Sequence, residues 1–187
     1  MTSLLKEQLA LLGSLVLFVG LVSTEAYYAA FQVSYQHLSL PASHVVLRGL
    51  TVLVDAPYLL LPYAAAVAWL LRNDTKRKKQ SGVPAPVLTY VFLAALVCLT
   101  YPLAQHAGLA QADRDSREGT SRLPRVSRLE LEGADASVTP LEIPYRVLVT
   151  DGDFVFLIRP IPVGETATTA NTRRISKGRV HEIETTP

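Results

Sequence analysis

"RGLTVLVDAPYLLLPY", Arg48 to Tyr63, sets a carboxylate inside a stretch that otherwise has the composition of a membrane-spanning helix. Arg48 lies upstream of Asp55, and Pro57 and Pro62 lie downstream. Two geometries follow. In a continuous helix, His44, Arg48, Thr51 and Asp55 are spaced by four, three and four and form one polar stripe. In a broken one, Asp55 is the N-cap of a second helix that begins at Ala56, with Pro57 in the first turn, where its missing N–H is tolerated. The part before Asp55 is then re-entrant or interfacial, and the part after it kinks at Pro62, which has no donor for the Tyr58 carbonyl.

Outward from that stretch, the apolar residues that make up 49% of the chain are concentrated before residue 108. A helix needs roughly 20 mostly apolar residues to cross the hydrocarbon core with its backbone polar groups satisfied internally. Three stretches reach that length: Gln8–Phe31, Val45–Leu71 and Pro86–Ala107. The connection after the second holds Arg72, Lys76, Arg77, Lys78 and Lys79 against Asp74, whereas the loop from Gln32 to Ser43 has no Lys or Arg. The positive-inside bias makes the basic loop a cytoplasmic topology anchor. The N-terminus is then cytoplasmic, and the first loop and everything after residue 108 are exoplasmic. Tyr27, Tyr28 and Tyr35 fall where an interfacial aromatic belt is expected.

The basic loop also suits anionic headgroups, which makes membrane lipid a partner. Lys6, the apolar run Leu9–Val22, Thr24 and Ala26 fit a competing reading as a secretory signal cleaved after Ala26, which leaves two spans in the same orientation. "NDT" at Asn73–Thr75 matches a glycosylation sequon, but on the cytoplasmic side of this topology. Richness in Leu, Ala, Val and Arg points to a bacterial chain and a multi-pass protein of the inner membrane.

A formal charge of +2 is too small for a nucleic-acid partner, which needs a dense basic stripe with stacking aromatics. Cys98 is the single cysteine, so there is no intrachain disulfide and no cysteine metal cage. No phosphate-cradling glycine loop, nucleophile elbow or zinc-protease helix motif is present, and no cofactor is expected.

Three parts follow: a three-span transmembrane domain over 1–108, a charged linker over 109–124, and a small exoplasmic antiparallel β domain over 125–187 with a partly disordered C-terminal tail. The strongest local signal is "YRVLVTDGDFVFLIR", Tyr145–Arg159, two β-rich runs joined by Asp151-Gly152, the preferred pair for a two-residue type I′ hairpin. That turn sets Val149 against Phe154, Val147 against Phe156 and Tyr145 against Ile158 on one apolar face, with Thr150 against Asp153 and Arg146 against Leu157 on the other. A lone hairpin is marginal in water. "SRLELEG" and a piece near Ile175–Ile183 are expected to complete a small antiparallel sheet or barrel-like meander, with "PVGETATTANT" as a mobile loop. "DGD" lacks the regularly spaced oxygen ligands of a calcium loop.

Charges within spans are costly and mark Glu25, Arg48 and Asp55, with Thr51 on the same stripe, as an intramembrane polar cluster. Three accounts stand side by side. Glu25 and Asp55 form an ion or proton site, Arg48 neutralises one of them in a structural pair, or Asp55 caps a helix. His37, His44 and His106 fall at the outer interface and could bind Zn²⁺ or Cu²⁺ with a carboxylate, although their spacing matches no metal template. Arg173, Arg174, Lys177 and Arg179 read as a solvated basic end.

The expected function is non-enzymatic: an integral membrane accessory or scaffold subunit of an envelope complex, with an exoplasmic β interaction module and a protein partner or a homo-oligomeric state. The alternative is a homo-oligomeric ion or proton channel, or a membrane-permeabilising effector, that uses Glu25 and Asp55. A membrane enzyme working through the histidines is a more distant third.

Overall fold

The structure, a computed structural model, describes residues 2–65, 68, 85–131, 145–163, 165 and 170–186. The anchor residues Arg72, Lys76, Arg77, Lys78 and Lys79 lie outside the described residues, as does most of the end of the expected second span. The chain divides into two compact units: Met1–Ala26 with Ala42–Gly108, and Tyr27–Pro41 with Leu109–Pro187.

The first unit is helical. Helix α1, Thr2–Ala30, contains a 22-residue apolar stretch, Leu9–Ala30, long and apolar enough to cross a membrane and equally compatible with a secretory signal. Helix α2 covers Ala42–Asp55 and α3 covers Pro57–Ala65, opened by a 3₁₀ turn at Pro57–Leu59. Helix α4 runs from Ala85 to Ser116 through Pro102, and the side chains of its first nine residues lie outside the described set. The Pro86–Ala107 span falls partly on those residues.

The expected second span is not one straight helix, because α2 and α3 meet at 103°. The cause is local. A proline pushes the residue before it out of the α region, and Ala56 sits at φ −132°, ψ 67°. Its N–H still donates to the Val52 carbonyl at 2.8 Å, so α2 closes normally and α3 restarts with Pro57 in its first turn. The break falls where the capping account put it, but its agent differs. Asp55 is the last residue of α2, and the N-cap is Ala56, with no side-chain cap.

The core of this unit joins Leu15, Val16, Val19 and Val22 of α1 to Val52 and Leu53 of α2, Leu59 of α3 and Ala104 of α4. Glycines set how closely the helices approach. A Cβ on Gly20 would overlap the Val45 carbonyl oxygen, one on Gly49 would overlap that of Val16, and one on Gly108 would overlap that of Ser23. The buried hydroxyls between them are satisfied by their own helices: Ser23 and Thr24 donate to the Gly20 carbonyl at 3.2 and 2.5 Å, and Thr100 donates to Leu96 at 2.8 Å.

The second unit opens with the end of α1. Gln32 takes φ 59°, and the N–H groups of Gln32 and Val33 donate back to Ala29 and Tyr28, a Schellman termination in which Val33 and Tyr28 share one apolar cluster. The expected linker is helical through Ser116, since no proline or glycine lies between Leu109 and Glu118 to stop α4. Beyond it, Arg146 donates to the carbonyls of Ser121, Leu123 and Glu118 at 3.3, 2.6 and 3.2 Å, tying the exit of α4 to the sheet.

Among the described residues the sheet has five antiparallel strands in the order β4-β3-β2-β1-β5: β1 Arg125–Leu131, β2 Arg146–Thr150, β3 Phe154–Arg159, β4 Asn171–Ser176 and β5 Val180–Thr186. The expected third strand is β1. The piece near Ile175–Ile183 contributes to both outer strands, so the described part of the C-terminal tail is paired rather than loose. A three-residue 3₁₀ turn, Lys177–Arg179, joins those outer strands. A flat sheet would hold them about 19 Å apart, four spacings of about 4.8 Å. Ser176 to Val180 reaches at most about 14 Å. The sheet must therefore roll, and its inner surface is the cluster Val126, Tyr145, Val155 and Leu157, with Val147, Ile175, Val180 and Ile183 against it.

The hairpin forms with a different register. The Asp151 N–H donates to the Phe154 carbonyl at 2.8 Å and the Phe154 N–H donates to the Asp151 carbonyl at 3.3 Å, so the turn residues are Gly152 and Asp153. Neither has the positive φ that a type I′ turn requires. Val149 faces Phe156 and Thr150 faces Val155, then a bulge at Leu148 shifts the ladder so that Val147 faces Leu157 and Arg146 faces Ile158. Strict alternation would keep Tyr145, Val147 and Val149 together. Instead Tyr145 and Val147 line the inner surface, while Leu148 and Val149 join Ile158, Tyr27, Tyr28, Phe31, Val33, Leu38 and Ala112 on the other face.

Gly20→Ala is expected to destabilise the helical unit by about 1–3 kcal/mol, because its methyl meets backbone. Gly13→Ala, with nothing within 4 Å of its Cβ, is expected to gain a few tenths to about 1 kcal/mol. Resistance to unfolding in a dodecyl sulfate titration compares the two.

Candidate functional site

In the helical unit, the stripe His44, Arg48, Thr51 and Asp55 lies on α2 without interruption. It is not the buried face, which is Val45, Gly49, Val52 and Leu53. His44 and Arg48 are half-buried, and Thr51 and Asp55 are exposed. The Thr51 hydroxyl donates to the Leu47 carbonyl at 2.9 Å. Glu25, on α1, is also exposed. Helix α2 thus presents its polar stripe mainly away from its own core.

Of the three histidines, His44 and His106 belong to the helical unit, His106 is exposed, and the side chain of His37 lies outside the described set. Among the described residues no group of three His, Cys, Asp or Glu side chains is placed to hold a metal ion.

The second unit contains a site that pattern reading missed. A cavity of about 940 Å³ lies between the loop after α1 and the β3–β4 surface. The loop supplies Phe31 through Ser34 and Ser39, the hairpin supplies Asp151, Asp153, Phe154 and Phe156, and β4 supplies Asn171, Thr172 and Arg174. Two hydrogen bonds hold the walls together. The Ser39 N–H donates to Asp151 Oδ1 at 3.0 Å, and the Thr172 hydroxyl donates to the Phe31 carbonyl at 3.0 Å.

Arg173 and Arg174, expected in a solvated basic end, are exposed. They sit in β4, paired with Leu157 and Phe156 of β3. Successive strand residues face opposite ways, and the Arg174 guanidinium stacks 3.5 Å from the centroid of Phe154 on the cavity face, while that of Arg173 lies 5.7 Å from Tyr145. The signal available in the sequence was the pair of arginines within reach of an aromatic hairpin, but assigning it required the β3–β4 register.

A further buried acid braces the unit. Asp115 accepts from the Tyr27 hydroxyl at 2.9 Å and from the Arg122 N–H at 3.1 Å, so its burial is compensated and its role is structural.

No protein-family model, curated protein or solved structure matches this chain.

Hydrogen bonds from the Gly152 N–H and then the Ser39 N–H hold the Asp151 carboxyl below the usual aspartate range. A depressed folded-state value stabilises the fold above the ordinary aspartate pKa of about 3.9, and that contribution disappears as pH falls through the lowered value. The Ser39 amide should therefore remain hydrogen-bonded from neutral pH to below about pH 3.9 and release in stronger acid. Asp151→Ala should release it at neutral pH. The Ser39 amide chemical shift, followed through an acid titration of both proteins, reads this directly.

Proposed function

We propose that this chain is a non-enzymatic membrane-anchored accessory or scaffold subunit, whose β unit is an exoplasmic interaction module. The observation that carries the reading is one chain holding both a 22-residue apolar helical stretch and a compact β unit with an open cavity and an outer strand that, among the described residues, pairs on one side only. The finer statement is a bacterial inner-membrane protein of three spans, with the basic loop Arg72–Lys79 cytoplasmic and the β unit periplasmic. The charge asymmetry of the loops supports it. The helix break at Ala56 makes the second crossing a bent pair or a re-entrant hairpin.

Alkaline phosphatase fused after Pro187 should be active, and a fluorescent protein inserted after Gln80 should fluoresce. Activity of the fusions in the opposite sense would overturn the orientation. Cross-linking in intact membranes followed by mild-detergent purification should return a reproducible, stoichiometric partner, whereas recovery of the chain alone would count against a scaffold.

A homo-oligomeric conductor is the second reading, favoured by the exposure of both Glu25 and Asp55 on the helical unit, where they are open to a second copy. Proton or cation flux in liposomes that Asp55→Asn reduces about tenfold would establish it. Absence of flux in the wild-type protein removes it.

A further inference from the structure

We infer that β4 is a receptor edge for an extended acidic segment of a partner protein, which adds to the sheet as a further strand and places one carboxylate on each arginine of the Arg173-Arg174 pair. The inference deepens the interaction-module reading and rests on it.

Strand β4 ends the sheet, so its outer backbone groups have no strand partner among the described residues. An edge of this kind accepts an extended peptide through main-chain hydrogen bonds, with specificity supplied by the side chains that alternate across it. Here that alternation is marked by charge. Arg173 and Arg174 are exposed and project to opposite faces of the sheet, Arg173 toward Tyr145 and Arg174 over Phe154. The Arg174 guanidinium carbon lies 3.5 Å from the Phe154 ring centroid, which places over that ring a fork of N–H donors of the kind that pairs with carboxylates.

Two adjacent residues of an incoming strand also point to opposite faces, so an acidic doublet meets the arginine doublet one to one. Lys177 extends the positive charge beyond the end of the strand, and no Asp or Glu occurs from Ala170 to Val180, while the acids that share the Arg174 cavity are Asp151, engaged by the Ser39 N–H, and Asp153. The other outer strand, β5, carries Glu182 and Glu184 in its sequence, which disfavours an acidic segment there. The 940 Å³ cavity beside β4 has room for the side chains that the added strand directs onto that face.

The test uses the full-length protein in detergent micelles and a fluorescein-labelled peptide, Thr-Val-Thr-Glu-Glu-Val-Thr-Val, read by anisotropy. The peptide should bind with an affinity that falls as salt rises. Methylating one alternate set of its backbone nitrogens should abolish binding, while methylating the other set should leave it intact, since only one set points at β4. Arg173→Glu with Arg174→Glu should weaken binding about tenfold and transfer it to the Lys-Lys version of the peptide. No binding by the wild-type protein, or equal effects of the two methylation patterns, overturns strand addition. A stoichiometric partner captured from membranes equally well by wild-type and doubly reversed protein would sink this edge and leave the scaffold reading standing. Peptide binding with the predicted methylation pattern, but no partner in membranes, would do the reverse.

Discussion

A single extra residue in β2 organises the second unit. The bulge at Leu148 separates Tyr145 and Val147 from Val149, so β2 contributes to both apolar faces of the sheet, which β3 supplies by regular alternation with Val155 and Leu157 on one and Phe156 and Ile158 on the other. An apolar face must be covered, and the two are covered by different means. The inner one is closed by rolling the sheet, which the three-residue link between its outer strands enforces. The outer one recruits Tyr27, Tyr28 and Phe31 from the end of α1, Val33 and Leu38 from the loop after it, and Ala112 from α4.

That recruitment explains why two boundaries of the unit, at Tyr27 and Leu109, fall inside helices, whereas the third, at Pro41, falls in the loop before α2. Residues 109–116 are charged and lack an obvious apolar period, yet Ala112 and Asp115 are buried there. Asp115 is tolerated because the Tyr27 hydroxyl and the Arg122 N–H satisfy it. The loop 33–40 is held in turn by Asp151, whose carboxylate accepts from Ser39 and from the adjacent Gly152. This use also accounts for the shifted turn, since Asp151 closes the strand pair and leaves Gly152 and Asp153 to make the reversal. The cavity beside β4 is a by-product of the same arrangement, because the loop that covers the outer face forms one wall of it.

Much of this was legible locally and little of it at long range. The Tyr145–Arg159 hairpin followed from alternation and turn residues, the alternation over Arg128–Glu132 falls largely within β1, and the piece near Ile175–Ile183 was called for by the marginal stability of a lone hairpin. The break in the stretch Arg48–Tyr63 was legible from proline chemistry, although the cap was assigned to Asp55 when the residue preceding proline, Ala56, is the one driven from the helix. The register was not legible, because a bulge leaves no mark in the hydrophobic pattern: Val147, Leu148 and Val149 are all apolar. Nor were the arginine stacks, which arise only when β4 is laid beside β3. The glycine crossings were open to inference from Gly20 and Gly49 as small residues in apolar helices, but their pairing needed the three-dimensional contact.

The two units differ in the reach of the side-chain bonds that satisfy their polar groups. On the helices, the hydroxyls of Ser14, Thr51 and Thr100 each donate to the carbonyl four residues back, and Thr24 does the same to Gly20. Such bonds need no neighbour and no water, which suits helices in hydrocarbon. The β unit has local bonds too, such as Ser116 to the Asp113 carbonyl, and adds long-range ones from Tyr27 to Asp115, Ser39 to Asp151 and Thr172 to Phe31. Glu25 and Asp55 stand apart from both sets, since both are exposed on the helical unit. The helical unit also carries a buried polar atom, His44 Nε2, without a hydrogen-bond partner among the described residues, on the same α2 stripe as Asp55. Exposure sets Glu25 and Asp55 on the surface of the helical unit rather than in its core.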